Sequence, residues 1–209
     1  MEQLIAYYLV ATFLGLIMRD SDIAWEVGDE IRFGDITNIL LKPISYFKYK
    51  LAQNFGRVFY KIIIYAMVFV ILFLILGKYL FFSLSFEQLV YFTVSVILSL
   101  FINLIFFYII GLSAFWLGFI AGLNFAMHMV VNFLSGFIIP LDLLPGTLIK
   151  INDFLPFKYM TFIPVSIFNG RVELSLSLLF VPLIWVIVLY TMSAFLFRKG
   201  IKKYEGYGA

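Results

Sequence analysis

The sequence of 209 residues has no cysteine, one histidine and few charged side chains. Without cysteine, the chain can form neither a disulfide nor a thiolate that acts as a nucleophile or metal ligand. Charged residues make up 13% of the chain, and a surface with so little charge would not keep a folded monomer of this size in solution. Because 64% of the residues are hydrophobic and 20% are aromatic, disorder is excluded as well. We therefore expect lipid to surround much of the chain.

Motifs for nucleotide or metal chemistry are also missing from the sequence. It contains no G-x-x-x-x-G-K-[ST] phosphate loop, no G-x-G-x-x-G motif and no histidine with a carboxylate at metal-binding spacing. The net charge of +3 does not favour nucleic acid as a partner, because membrane proteins concentrate lysine and arginine in their cytoplasmic loops. The sequence predicts no catalytic residue, no metal site and no cofactor bound directly to this chain.

Long apolar runs bounded by charges predict an all-α protein that crosses the membrane several times. One crossing takes about 20 mostly apolar residues. Between Gln88 and Leu141 there is no Asp, Glu, Lys or Arg, so we place two helices there with a turn around Gly111 to Leu117. Pro182 is expected to kink the last span. The sequence predicts a single transmembrane domain, 1–209, with five visible spans at residues 4–19, 58–78, 88–110, 117–138 and 174–197.

The distribution of lysine and arginine predicts the orientation. Most basic residues lie between the first two predicted spans or after the last span. The later four spans separate these two regions, so both face one side, which the positive-inside rule predicts to be cytoplasmic. The tail, 198–209, is then cytoplasmic at the inner or plasma membrane, and the start of the chain faces outward. Residues 1–20 do not resemble a cleaved signal peptide, because Glu2 stands in place of a basic start.

The segment from residue 20 to residue 57 is the most polar part of the chain and predicts amphipathic helices. Ile23, Val27 and Ile31 recur at four-residue spacing beside an acidic face that is expected to meet water. Lys42 and Lys50 are expected to point away from a second apolar stripe, with Pro43 interrupting or starting a helix. The acidic face contains Asp22, Glu26 and Asp29, and the second stripe contains Ile36, Leu40, Ile44, Phe47 and Leu51.

This pattern supports two interpretations. The helices lie at the membrane interface, held by apolar burial and by attraction to lipid charge. Alternatively, they form a docking site for a cytoplasmic partner. Six of the twelve acids fall in the first half of the segment, and anionic lipid would repel them.

The segment from residue 138 to residue 171 is apolar but rich in proline. A spanning helix would not hold prolines at this density, and a water-exposed loop would be more polar. We expect short, broken helices that dip into the outer leaflet, where non-helical backbone must be covered by protein or line a cavity. The residues that mark this outer re-entrant lid are Pro140, Asp142, Pro145 and Pro156.

A polar face lies within the fourth predicted span. Asn124, His128 and Asn132 follow one another at four-residue spacing and so share one face of a helix. Such residues either line a substrate path or form hydrogen bonds that pack helices together. Asn103 carries the same ambiguity in the preceding span.

Several ordered segments together resemble the membrane-spanning permease subunit of type-2 ATP-binding-cassette (ABC) exporters. They extend over most of the chain and lie mainly at the loops with unusual composition. The segments are Asp29-Glu30-Ile31-Arg32-Phe33-Gly34-Asp35 leading to Leu40-Leu41-Lys42-Pro43; Ala114-Phe115-Trp116; Leu134-Ser135-Gly136 with Pro140-Leu141-Asp142-Leu143-Leu144-Pro145; Leu155-Pro156-Phe157; and Glu205-Gly206-Tyr207-Gly208.

The resemblance implies a subunit that pairs with a second permease subunit, as a homodimer or heterodimer, and with two separate ATPase subunits. ATP and Mg²⁺ would bind to those ATPases, so the missing phosphate loop is expected. The family fold has six spans, with one more before the equivalent of Leu4. Its coupling helix corresponds here to Asp22 to Lys50, and the implied ATPase contacts are Asp29, Glu30, Arg32, Leu40 and Pro43.

An alternative function comes from another class of protein. The chain would be a structural or assembly membrane protein whose cytoplasmic helices recruit a partner other than an ATPase. A neighbouring or co-purifying ATPase would distinguish the two. The sequence does not identify a transported substrate.

Overall fold

The computed structural model describes residues 2–18, 23–76 and 85–204, and these ranges form helices without any strand. The predicted all-α fold is confirmed. The α-helices are α1 (Glu2–Met18), α2 (Ile23–Phe33), α3 (Ile36–Leu40), α4 (Tyr46–Leu76), α5 (Phe86–Leu112), α6 (Ala114–Leu117), α7 (Ala121–Leu134), α8 (Gly146–Asp153), α9 (Phe162–Phe168) and α10 (Ser177–Lys203). Two short 3₁₀ helices, Leu141–Leu143 and Phe157–Tyr159, flank α8.

Three stretches are long and apolar enough to cross a bilayer, and the structure describes two of them in full, Phe86–Leu117 and Ser177–Lys203. The third is Leu4–Phe33, of which the structure describes α1 and α2. The fourth predicted span corresponds to α7, which is apolar but shorter. The second predicted span begins well inside α4. Residue 19, residues 77–78, Asp20, Asp22 and the end of the tail lie outside the described residues.

The turn between the third and fourth predicted spans lies later in the chain than expected. Gly111 is part of α5. The chain continues through α6 to Gly118, whose φ of 68° ends that helix and suits a residue without a side chain. Similarly, α10 runs through Pro182 without ending there. A membrane helix tolerates proline when other groups satisfy the freed backbone.

Helix α5 occupies the centre of the structure. It begins at Ser85, whose side-chain oxygen accepts a hydrogen bond from the Gln88 backbone N–H at 3.1 Å. This is an N-cap of the usual kind. Its 27 residues pack against α2, α9 and α10. The side chains of its second half, including Ile102, Phe107 and Leu112, are almost completely buried.

Helix α2 docks on the end of α5 through the predicted apolar stripe. Ile23, Val27 and Ile31 are all buried. Gly111 allows this contact, because a Cβ added there would lie 2.7 Å from the Cβ of Val27 and 3.0 Å from the Ala24 carbonyl oxygen. The glycine therefore serves close helix packing rather than a turn.

The part of α4 that follows residue 57 has few neighbours. It packs mainly on α1, and large apolar side chains on more than one of its faces are exposed, including Phe59, Ile62, Met67 and Val70. A mostly apolar groove of about 320 Å³ lies between the two helices. In a membrane protein these surfaces face lipid or another subunit.

The close contact at Gly111 gives a test of the packing. Gly111→Ala should push α2 away from α5 and destabilise the protein by about 1–3 kcal/mol, the usual cost of overpacking. The matched control is Gly122→Ala in α7, where an added Cβ meets no atom within 4 Å. The measurement is the thermal unfolding midpoint of both variants in detergent. Equal midpoints would contradict the α2–α5 contact.

Candidate functional site

Four charged side chains join α2 to the first turns of α4, and we call Glu26, Glu30, Lys50 and Arg57 the ionic cluster. The Lys50 ammonium donates to Glu30 Oε1 at 2.6 Å and approaches Glu26 Oε2 at 3.4 Å. Both terminal nitrogens of Arg57 donate to the Glu26 carboxylate, one of them to Oε2 at 3.2 Å. Glu26 and Glu30 are one turn apart on α2, so both face α4.

Lys50 is the most buried member of the ionic cluster. Its side chain is only 1% exposed, which corrects the expectation that it points away from the protein. The correction has a physical reason, since a buried ammonium is stable only when counter-charges and hydrogen bonds replace its water. Glu26, predicted on a water-exposed acidic face, is instead half-buried and supplies part of that counter-charge.

Tyr46 connects the ionic cluster to the rest of the helices. Its hydroxyl donates to Glu30 Oε2 at 2.6 Å. Burial, together with the Glu30 carboxylate, raises the pKa of Tyr46 far above the ordinary value of tyrosine, so the hydroxyl keeps its proton and remains a donor. The ring stacks on Phe197 of α10 with centroids 5.6 Å apart, and it lies 6.1 Å from the ring of Tyr108 in α5.

The predicted ATPase-contact residues divide into two groups. Glu30 is partly exposed but engaged by Lys50 and Tyr46, so its charge is used within the chain. Asp29 is half-exposed, and Arg32, Leu40 and Pro43 are exposed. The Arg32 guanidinium lies over the rings of Phe33 and Phe119, at 5.1 and 4.9 Å from their centroids.

Exposed apolar residues in this region were missed by the sequence prediction. Leu41 is 83% exposed, and Phe33 and Phe119 are also exposed. Leu41 directly follows Leu40, a predicted ATPase contact, so its position in the sequence could have indicated that it is exposed at the same site. Phe119 follows the turn at Gly118 and is far from α2 in sequence, so no local pattern indicates that it meets Arg32.

The polar face of α7 is divided among different surroundings. Asn124 is buried, and its side-chain carbonyl oxygen has no hydrogen-bond partner among the described residues. The His128 ring stacks on Phe107 of α5, with centroids 4.2 Å apart. Asn132 is buried and, with Asn103, lines a small space between the helices. Its volume is about 10 Å³, which is enough for one water molecule.

Hydrogen bonds join the outer segment, residues 138–171, and the turn that leads into it to three helices, α1, α5 and α7. The hydroxyls of Tyr7 and Tyr8 in α1 donate to the carbonyls of Gly136 and Ile138, at 2.6 and 2.9 Å. On another side, Gln88 of α5 donates to the Ile167 carbonyl at 2.7 Å. The third attachment runs from Asn152 of α8 to the Leu134 carbonyl of α7, also at 2.7 Å.

These attachments provide polar partners for backbone that is not in a long helix, as apolar surroundings require. Among the residues predicted to mark the lid, Pro140 and Pro156 are buried, whereas Asp142 and Pro145 are exposed. Asp142 lies 3.8 Å from the Arg171 guanidinium. The segment thus combines buried prolines with an exposed acidic position.

The described residues contain no group of three or more His, Cys, Asp or Glu side chains that could hold a metal ion. The acids of the ionic cluster are bound by Lys50, Arg57 and Tyr46. Their chemistry here is ion pairing between helices.

The apolar helices and the docked amphipathic helix define a helical membrane protein with several membrane-embedded segments. A family model described as "ABC-2 family transporter protein" matches residues 1–208. This match covers almost the whole chain, so the chain belongs to the ABC-2 transporter family, as the sequence resemblance predicted. It is a permease component of an ABC transporter, with the helical membrane fold of that family. No curated protein and no solved structure matches the chain.

The polar face of α7 gives a second test. Asn132→Ala should destabilise the protein by about 1–3 kcal/mol and lower its thermal unfolding midpoint, because it removes a buried side chain and enlarges the small space that this side chain lines with Asn103. Asn38→Ala, at an exposed position of α3, is the control. Asn124→Ala should leave the midpoint nearly unchanged, because its carbonyl oxygen has no partner to lose.

The same variants separate packing from a substrate path. Permease-stimulated ATP hydrolysis by the partner ATPase is measured for each. A change in hydrolysis at an unchanged midpoint would place that residue on the path. If Asn132→Ala were as stable as Asn38→Ala, the packing interpretation of Asn132 would be wrong.

Proposed function

We propose that this chain is the permease subunit of an ATP-driven exporter. In this proposal it forms the substrate pathway with a second permease subunit, as a homodimer or heterodimer. Separate ABC ATPase subunits bind ATP and Mg²⁺ and carry out hydrolysis. The observation that carries the proposal is the family match over residues 1–208, and the docking of α2 on the end of α5 supports the position of the coupling site.

The proposed coupling site is the part of α2, α3 and the following turn that faces away from the spans. The apolar stripe of α2 is occupied by α5, whereas Asp29, Arg32, Leu40 and Pro43 remain at least partly exposed. An exposed surface that combines both charges with apolar residues suits a protein partner. Glu30 contributes indirectly in this proposal, because its carboxylate holds Lys50 and Tyr46.

ATP enters the mechanism through the partner. When ATP draws the two ATPases together, they displace the α2 segment, and the two permease subunits change between inward and outward exposure. The energy is the differential affinity of the ATPases for the two conformations. No residue of this chain takes part in the chemistry of hydrolysis.

The proposed orientation places α2, α3 and the end of α10 in the cytoplasm, at the inner or plasma membrane. Two features support it. The basic residues Lys202 and Lys203 end α10, and the stacking of Tyr46 on Phe197 brings the start of α4 and the end of α10 together. The two basic regions therefore lie on one side, as the positive-inside rule requires.

The opposite side is then the outer one. There the segment of short helices from residue 138 to residue 171 forms the proposed re-entrant lid, marked by Pro140, Asp142, Pro145 and Pro156. Asn124, His128 and Asn132 are the proposed polar positions near the path. Of the three, Asn124 is the best supported as a path residue, because its buried side-chain carbonyl oxygen has no hydrogen-bond partner among the described residues.

The second candidate is a structural or assembly role for this permease-family chain, in which its cytoplasmic helices recruit a partner other than an ATPase. The exposed apolar residues near α2, such as Phe33 and Leu41, favour a protein partner without specifying an ATPase. The two functions differ in whether an ABC ATPase co-purifies with the chain and whether its hydrolysis responds to the chain.

The coupling site is tested by charge reversal at Asp29. Asp29→Lys should reduce co-purification of the ATPase about tenfold or more, because a reversed charge at the interface meets like charge on the partner. The control is Glu173→Lys at an exposed position before α10, which should not affect co-purification. Full retention of the ATPase and of permease-stimulated hydrolysis by Asp29→Lys would refute the assignment.

The orientation is tested with single cysteines, for which the chain needs no prior removal of native ones. Ser45→Cys lies between α3 and α4, and Ser175→Cys lies before α10; both positions are exposed. A membrane-impermeant maleimide added to intact cells should label Ser175→Cys alone, and both after permeabilisation. Labelling of Ser45→Cys in intact cells would reverse the proposed topology.

A further inference from the structure

The ionic cluster joins α2, which is part of the proposed coupling site, to α4, which contains a predicted span. We propose that it makes α2 and the first turns of α4 one rigid unit, with Lys50 and Arg57 as positioning residues that pass a displacement of α2 to the spans. This inference rests on the proposed function, because it presupposes that an ATPase displaces α2.

The geometry provides several independent ties between the two helices. Each of the two glutamates of α2 is held by two donors of α4: Lys50 and Tyr46 on Glu30, and Arg57 and Lys50 on Glu26. Arg57 uses two nitrogens, which fixes direction as well as distance. A tilt or slide of α2 along α4 would break more than one of these contacts.

Burial strengthens the attraction at Lys50. Its side chain is 1% exposed, so salt and water screen its attraction to Glu30 much less than at the surface. Its ammonium also lies 5.9 and 5.8 Å from the ring centroids of Tyr46 and Tyr49, within the range of cation–π attraction. Two anions face two cations, so the cluster is balanced and no charge is left to favour separation of the helices.

The helices that contact α4 determine which spans would move when α2 is displaced. The start of α4 reaches α10 and α5 through Tyr46, whereas the part beyond Arg57 packs mainly on α1. In the described residues, the span within α4 is therefore held mainly by α1, and a movement of α2 carried by the ionic cluster meets little resistance there. The displacement enters α4 first and reaches α5 and α10 through Tyr46.

The experiment replaces the ionic tie with a covalent one. Glu30→Cys/Lys50→Cys removes one anion and one cation together, so Glu26 and Arg57 remain as a balanced pair and no unpaired buried charge is created. A short bis-maleimide then links the two cysteines, which are unique because the chain has none of its own. Permease-stimulated ATP hydrolysis is measured in the reconstituted complex before and after linking.

We expect the unlinked double variant to lose stimulation about fivefold or more, the lower end of typical coupling between sites, and the linked one to recover most of it. Wild-type stimulation without the linker would overturn the inference. So would failure of the linker to restore stimulation, because α2 would then need to move relative to α4. Asn38→Cys/Lys48→Cys, at exposed positions outside the cluster, controls for the reagent.

Arg57→Gln provides a second variant at the half-exposed edge of the ionic cluster, where a failure to fold is less of a concern. It should reduce stimulation in the same direction, and unchanged stimulation would also overturn the inference. If the wild-type chain neither retains an ATPase nor stimulates one, the proposed function itself fails. That result is distinct from loss of stimulation in the variants alone.

Discussion

The burial of Lys50 is the constraint on which the arrangement of α2 and α4 depends. An ammonium removed from water requires counter-charge at short distance, and in the described part of the chain Glu30 and Glu26 supply it. Both acids lie on α2, so α2 must lie beside α4. Because the neighbouring apolar stripe of α2 is buried on α5, the ionic contact and the apolar contact together fix the position of this helix.

Away from the ionic cluster, the polar contacts between helices are made by uncharged side chains and backbone carbonyls. Ser95, Ser99 and Asn103 are buried along α5, and the Ser99 hydroxyl donates to the Tyr159 carbonyl of the outer segment. Short helices with prolines are stable in apolar surroundings only if their free backbone groups find partners. The hydrogen bonds of Tyr8 and Gln88 meet that need from α1 and α5, and Asn152 of the segment in turn binds the Leu134 carbonyl of α7.

Periodicity in the sequence was sufficient to predict the helices and the buried stripe of Ile23, Val27 and Ile31. It failed for Lys50, because a lysine between apolar positions is usually exposed. The two acids that bind Lys50 lie twenty and twenty-four residues earlier, so the local sequence pattern does not indicate them. The predicted start of the turn at Gly111 was wrong for a related reason. A glycine serves a turn or a close contact equally well, and only the position of Val27 decides between them.

The ionic cluster also constrains how the sequence can change. A substitution that alters the charge of any one member leaves an excess charge in a partly buried place, whereas an exchange of both members of a pair preserves the balance. Changes that keep the charge of the ionic cluster balanced therefore come as matched replacements, Glu30 with Lys50 and Glu26 with Arg57. Comparison of related sequences would then show these positions varying together, although thirty-one residues separate the latter two.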